Sequence, residues 1–201
     1  MALKEIKMNY IVDVATKLFI EQSIPSVTIK DIADAADVGE ATIYRYFQKK
    51  QNIVISAVMK MEKTVRENYF KLDCGITGFD KLCNFYKSYS DVYNEHPEFF
   101  KFIREFDLYM FNETDARLEE YETEVDYFKT MYLKAYELGL KDKSVKMMED
   151  IETFYYSTTH ALLELCKKHA LSFDILSQDK LAKKGAEIVC LIDVILQSLH
   201  I

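Results

Sequence analysis

The chain has 201 residues, 49% hydrophobic and 29% charged, enough apolar material to bury a core and too much for a disordered protein. Its net charge of −7 argues against a surface coated throughout by nucleic acid. Five Gly and two Pro leave few breaks, so an all-α architecture of about nine long helices with almost no strand is expected.

The first helix is expected over about 3–21, where Ile11, Val14, Ala15, Leu18 and Phe19 recur at three- and four-residue spacing. Pro25 then imposes a loop. Thr28 stands where an N-cap belongs and Asp31 in the capping-box position, opening a short second helix that buries Ile29, Ile32, Ala33 and Ala36 and stops near Asp37. Val38 and Gly39 form a tight turn into a third helix, Glu40–Phe47, with Ile43 and Phe47 inward and Ala41, Thr42, Arg45 and Tyr46 on the other face. A linking helix is expected over about 50–71, followed by a break at Cys74–Gly78 and five amphipathic helices near 79–94, 97–112, 115–139, 146–170 and 178–199. Pro97 suits a first helical turn and Gly139 a helix end.

Charge is unevenly spread. Residues 45–66 carry Arg45, Lys49, Lys50, Lys60, Lys63 and Arg66 against Glu62 alone, while acid concentrates in Glu113–Asp126, so one end of the molecule is suited to phosphate. Cys74, Cys83, Cys166 and Cys190 lie far apart without a C-x-x-C pair, as reduced cytoplasmic thiols would. The N-terminal residues lack the unbroken apolar run of a signal peptide, and the apolar stretch 186–199 is interrupted by Glu187 and Asp193 and too short for a bilayer. A soluble, cytoplasmic protein without membrane association is expected.

Two short helices joined by a tight turn, the second showing small and polar side chains outward, are the geometry of a DNA-reading helix-turn-helix, because a major groove admits a helix whose exposed face is slim and polar. The run Val27-Thr28-Ile29-Lys30-Asp31-Ile32-Ala33-Asp34-Ala35-Ala36-Asp37-Val38-Gly39-Glu40-Ala41-Thr42-Ile43-Tyr44-Arg45-Tyr46-Phe47-Gln48-Lys49-Lys50 resembles the signature of the TetR family of bacterial transcriptional regulators. The preceding Ala15-x-x-Leu18-Phe19 resembles it too. The resemblance covers about the first 55 residues; beyond them it lies in helix count and chain length. Two positions depart from the usual pattern: Asp37 stands where Gly is common and Gly39 where Ser or Thr is, both tolerable because Asp enters the left-handed region and Gly can cap.

The resemblance implies a three-helix DNA-binding domain over 1–50 and a helical ligand-binding and dimerisation domain over 51–201. It also implies phosphate contacts from Thr28, Tyr44 and Lys50. Lys30, Glu40, Ala41, Thr42 and Tyr46 would face bases, with Arg45 touching either bases or an adjacent phosphate. Glu40 would accept from cytosine N4, and Ala41 or the Thr42 methyl would meet a thymine methyl.

In the second part of the chain, sixteen of the 27 aromatic residues fall between Phe79 and Tyr136. Phe102, Phe106, Tyr109, Met110, Tyr121, Phe128 and Tyr132 are read either as ordinary core or as the wall of a pocket for an apolar or aromatic ligand. The last two helices carry stripes through Phe154, Tyr155, Thr158, Leu162 and Leu165, and through Ile188, Ile192, Ile195 and Leu199. Pairing these stripes with symmetry mates in a four-helix interface would make a homodimer, as the resemblance also implies. Cys166 and His169 are half of a metal site without a second pair, and no catalytic set or phosphate-binding glycine loop can be assembled, so neither metal, cofactor nor enzyme activity is expected.

These features together lead to the expectation of a sequence-specific DNA-binding regulator, a repressor released from a palindromic operator by a small ligand. The alternatives are an activator or DNA-organising protein without small-molecule control, or a helical protein-interaction module.

Overall fold

A computed structural model describes residues 3–71, 76–111, 118–171 and 183–201. Cys74 and Gly75, residues 115–117 at the expected start of the acidic helix, and residues 178–182 at that of the last one lie outside the described residues. Among the described residues there are nine helices: α1 (Leu3–Gln22), α2 (Ile29–Ala35), α3 (Glu40–Phe47), α4 (Lys50–Tyr69), α5 (Gly78–Glu95), α6 (Pro97–Met110), α7 (Leu118–Asp142), α8 (Ile151–Ala170) and α9 (Lys184–Leu199). Extended pairing among them is limited to an isolated antiparallel bridge between Val145 and His200. The contacts divide the chain into two compact units, Met1–Lys63 with Lys101–Glu124, and Thr64–Phe100 with Val125–Ile201.

The first unit closes around Ile11, Ala15 and Phe19 of α1, Ile32 and Ala33 of α2, Ile43 and Phe47 of α3, and Ile53, Val54 and Ala57 of α4, all buried. Burying each large aliphatic or aromatic side chain contributes roughly 1.5–3 kcal/mol, so this three-helix core with the start of α4 holds α3 at a set angle. Phe102 of α6 joins the same core, its ring 6.3 Å from that of Phe19. Glu105, one turn along α6, accepts the Ile24 backbone N–H at 2.8 Å and so fastens the loop between α1 and α2.

The second unit has an aromatic interior. Phe70 meets Phe128 edge-on at 4.9 Å, and Phe85 meets Tyr132 at 5.2 Å. Inside it the Tyr86 hydroxyl donates to that of Tyr132 at 3.2 Å and shares a hydrogen bond with Thr158 Oγ1 at 2.8 Å, which gives the buried polar atoms partners. Burial pushes the Tyr86 phenol up to about 12, so it remains a neutral donor.

Two expected helix ends move. Gly139 does not terminate α7, which continues to Asp142 and turns at Lys143, φ +62°. A Cβ on Gly78 would collide with the Gly139 backbone and the Ala135 carbonyl, so Gly78 permits α5 to start against α7, while a Cβ on Gly139 would collide with the Val145 side chain. The helix expected from 146 starts at Ile151 instead. The segment before it is engaged elsewhere: Lys146 N–H donates to the Leu199 carbonyl at 2.8 Å, and the Tyr136 hydroxyl accepts the Met148 N–H at 2.6 Å. Asp150 then caps α8 by accepting the Thr153 N–H at 3.0 Å.

The expected dimer stripe is mostly interior. Tyr155, Leu162, Ile188, Ile192, Ile195 and Leu199 are buried within the unit, where α9 lies against α5 and α8. Phe154, Thr158 and Leu165 are half-buried, and Thr158 is tied to Tyr86. The physical reason for the correction is that a helix packs its richest apolar face into the core of its own chain first. The exposed faces carry Tyr156, His160 and Ala161 on α8, and Val189 and Val194, 46% and 58% exposed, on α9.

Candidate nucleic-acid interface

The local chemistry of α2 and its turn sets the position of α3. Thr28 accepts the Asp31 N–H at 3.1 Å through Oγ1, and Asp31 Oδ2 accepts the Thr28 N–H at 2.8 Å, a complete capping box. The Thr28 hydroxyl and then the Thr28 N–H, both donating to Asp31 Oδ2, hold the Asp31 carboxyl below its ordinary value of 3.8.

At the other end of α2 the Val38 N–H reaches the Ala33 carbonyl at 3.0 Å and the Asp37 N–H the Asp34 carbonyl at 3.3 Å, the Schellman pattern. Asp37 supplies the left-handed residue this pattern needs, φ +51°. Gly39 then caps α3 in extended conformation, φ −72°, with no side-chain hydrogen bond.

On α3, Ile43 and Phe47 are buried while Glu40, Ala41, Tyr44 and Arg45 are exposed and Thr42 and Tyr46 half-buried. Tyr44 is 50% exposed, its ring turned away from the core that Ile43 and Phe47 fill. Cations flank the Tyr46 ring: the Arg45 guanidinium lies 5.0 Å and the Lys4 ammonium 5.9 Å from its centroid. Thr28 and Lys30 are exposed at the start of α2.

Residues 11–57 match the family model of the bacterial regulatory proteins of the tetR family, a span that runs from α1 through this helix-turn-helix into α4. The helix-turn-helix domain of this chain is similar to that of the tetR family. Over 146 residues it is 25% identical to the HTH-type transcriptional repressor KstR2 of Rhodococcus jostii, covering 71% of this chain and 69% of that one. The fold is that of solved TetR-family regulators. A regulator from Mesorhizobium loti superposes with a TM-score of 0.73 at 14% identity over 100% of both chains. FadR of Bacillus subtilis, solved with stearoyl-CoA, gives 0.66 at 17% identity over 96% of this chain and 99% of that one. The matched N-terminal domain accordingly marks the chain as a DNA-binding transcriptional regulator.

Not all the expected contact residues present themselves alike. The Thr28 hydroxyl donates to Asp31 Oδ2 at 2.7 Å, so its proton is engaged inside the capping box. Lys50 turns inward: its ammonium donates to the Ile24 carbonyl, lies 3.4 Å from that of Pro25, and sits 5.3 Å from the Tyr109 ring centroid. Burial lowers its pKa from the ordinary lysine value, with Asp31 opposing.

Two groups escaped the sequence reading. Asn52 Nδ2 donates to the Phe47 carbonyl at 2.7 Å and closes the C-terminus of α3, and Glu105 clasps Ile24 from 81 positions away. An Asn inside a helix pattern and a Glu on a helix carry no local signal of either role.

The seven positions expected to wall a ligand divide between the units. Phe102, Phe106 and Met110 are buried and Tyr109 and Tyr121 half-buried in the first, where Phe106 meets Tyr121 at 5.0 Å. Burial, with the charges of Glu62 and Asp107, raises the Tyr121 phenol. Phe128 and Tyr132 are buried in the second. A cleft in the second unit is lined by other residues, from α4, α5 and α7. No helix among the described residues is long and apolar enough to cross a membrane, and no group of three or more potential metal ligands occurs among them.

Proposed function

We propose that the chain is a homodimeric repressor whose two α3 helices enter successive major grooves of a palindromic operator and which a small effector releases from DNA. Residues 1–50 bind DNA in this reading, and 51–201 dimerise and take the effector. The observation that carries it is the division of α3: Ile43 and Phe47 lock it to the core, and Glu40, Ala41, Tyr44 and Arg45 are left to solvent.

Tyr44 and the exposed start of α2 at Thr28 would meet phosphates, and Lys30, Glu40, Ala41, Thr42 and Tyr46 bases, with Arg45 serving either. Thr28 would act through the amides of the first turn of α2 unless its hydroxyl left Asp31. Lys50 would join them only by leaving the Ile24 and Pro25 carbonyls; otherwise the N-terminal amides of α4 serve. The exposed faces of α8 and α9 suit a four-helix dimer interface. Effector control is supported by the stearoyl-CoA bound to FadR of Bacillus subtilis, and an effector favouring a wrong spacing of the two α3 helices would release DNA by population shift.

Selection of bound DNA from a random pool tests the reading. An enriched palindrome whose affinity falls with salt and collapses in Tyr44→Ala is expected. No enrichment by a folded dimer would overturn it.

A further inference from the structure

The second unit holds an open cleft of about 530 Å³, within the size range of small-molecule sites. Its floor is apolar, formed by Phe70 at the end of α4 and by Met131, Ala135 and Leu138 on α7. Its rim is cationic: Arg66 and Lys71 by the end of α4, Lys81 in the first turns of α5 and Lys134 on α7 stand against one acidic lining residue, Glu67. The chain as a whole has net charge −7, so this concentration of cations over an apolar floor runs against its composition.

Arg66 is set in place by Tyr127, its guanidinium 4.2 Å from the ring centroid. Backbone amides at the start of α5 are already taken: Gly78 N–H by Asp142 at 2.8 Å, Phe79 N–H by Ser144 at 3.0 Å and Asp80 N–H by Thr77 at 3.1 Å. An anion arriving there would therefore be held by side chains, not by a helix terminus.

We infer that this cleft binds an amphipathic anion, with an alkyl or acyl chain on Phe70, Met131 and Leu138 and a carboxylate or phosphate headgroup among Arg66, Lys71 and Lys134. The apolar floor supplies affinity and the cations select the headgroup. Release of DNA by such a ligand rests on the repressor reading; the binding itself does not.

The test is calorimetric titration of the full-length protein with dodecanoate, dodecyl phosphate, dodecanol and inorganic phosphate, and of Lys71→Glu/Lys134→Glu, whose two positions are exposed. Either anionic amphiphile is expected to bind at least ~10-fold more tightly than dodecanol, and inorganic phosphate alone not measurably; the tighter of the two identifies the headgroup. The double variant, folded by circular dichroism, is expected to lose ~10-fold or more for the anions and to hold dodecanol unchanged. Dodecanol binding as well as dodecanoate, anion binding unaffected by the double variant, or no binding of either anion would overturn the site. Anion binding by a protein that selects no DNA would sink the repressor and leave the site standing; operator binding with no anion affinity would do the reverse.

Discussion

Glu105 and Lys50 hold opposite sides of one residue: the Glu105 carboxylate accepts the Ile24 N–H at 2.8 Å, and the Lys50 ammonium donates to the Ile24 carbonyl. Both polar groups of a buried residue are thus tied to charged side chains from α4 and α6, and the α1–α2 loop is held between them.

Replacing Glu105 by Ala leaves the Ile24 amide without its acceptor and is expected to cost roughly 1–3 kcal/mol, read as a lower urea midpoint at unchanged slope. Glu105→Gln, which keeps an oxygen in place, should lose less. An unchanged midpoint in the Ala variant would show that the loop is held by packing alone.

The turn between α2 and α3 has room for improvement. Asp37 is left-handed at φ +51°, and an added Cβ at Gly39 meets nothing within 4 Å. Asp37→Gly removes strain, while Gly39→Ser adds a cap and stiffens the unfolded chain, so each should raise stability by about 0.5–1 kcal/mol. Thermal unfolding decides it, and a lower melting temperature for Gly39→Ser would mean that its hydroxyl fails to reach the α3 amides.

Asp31, Asp80, Asp142 and Asp150 all have carboxyls held below the ordinary 3.8, each chiefly by hydrogen bonds it accepts as an anion from a neighbouring Thr or Ser. A folded value below the unfolded one contributes stability that is present above the unfolded pKa and is lost as pH falls through the folded value. The fold should therefore be insensitive to these groups near neutrality and weaken below about pH 4. Asp31→Asn should lower the melting temperature at pH 7 and narrow its gap from the parent as pH falls toward 3. A gap that stays constant would assign the effect to shape instead of charge.

The two faces of α9 should respond oppositely to charge. Val194, 58% exposed, tolerates Glu in the isolated chain, so Val194→Glu is expected to give a folded monomer by light scattering if that face joins the dimer. Ile192 is 3% exposed, and Ile192→Glu should unfold the second unit whatever the oligomeric state. A dimer surviving Val194→Glu would move the interface elsewhere.

The helix-turn-helix was legible because its determinants are local. Thr28 and Asp31 meet three residues apart, Asp37 takes its left-handed turn from the chain on either side, and the Ile43 and Phe47 spacing marks one face of α3. Interactions that close within one helical turn are specified by residue type and spacing alone.

What only the tertiary structure decided are the relations between segments distant in sequence. Periodicity showed that α8 and α9 carry apolar stripes but not whether their own chain or a second copy covers them, and Leu162, Ile188 and Ile192 fill the core, while Val189 and Val194 stay outside. Gly139 read as a helix end because glycine commonly is one, yet its lack of a side chain admits the Val145 side chain, while the bare Gly78 makes room for the Gly139 backbone. The cationic rim of the α4–α7 cleft draws Arg66 from α4, Lys71 from just beyond it, Lys81 from α5 and Lys134 from α7, and no single stretch of sequence displays that grouping. A hydrophobic pattern states that a surface will be covered; what covers it depends on long-range packing, which the pattern does not encode.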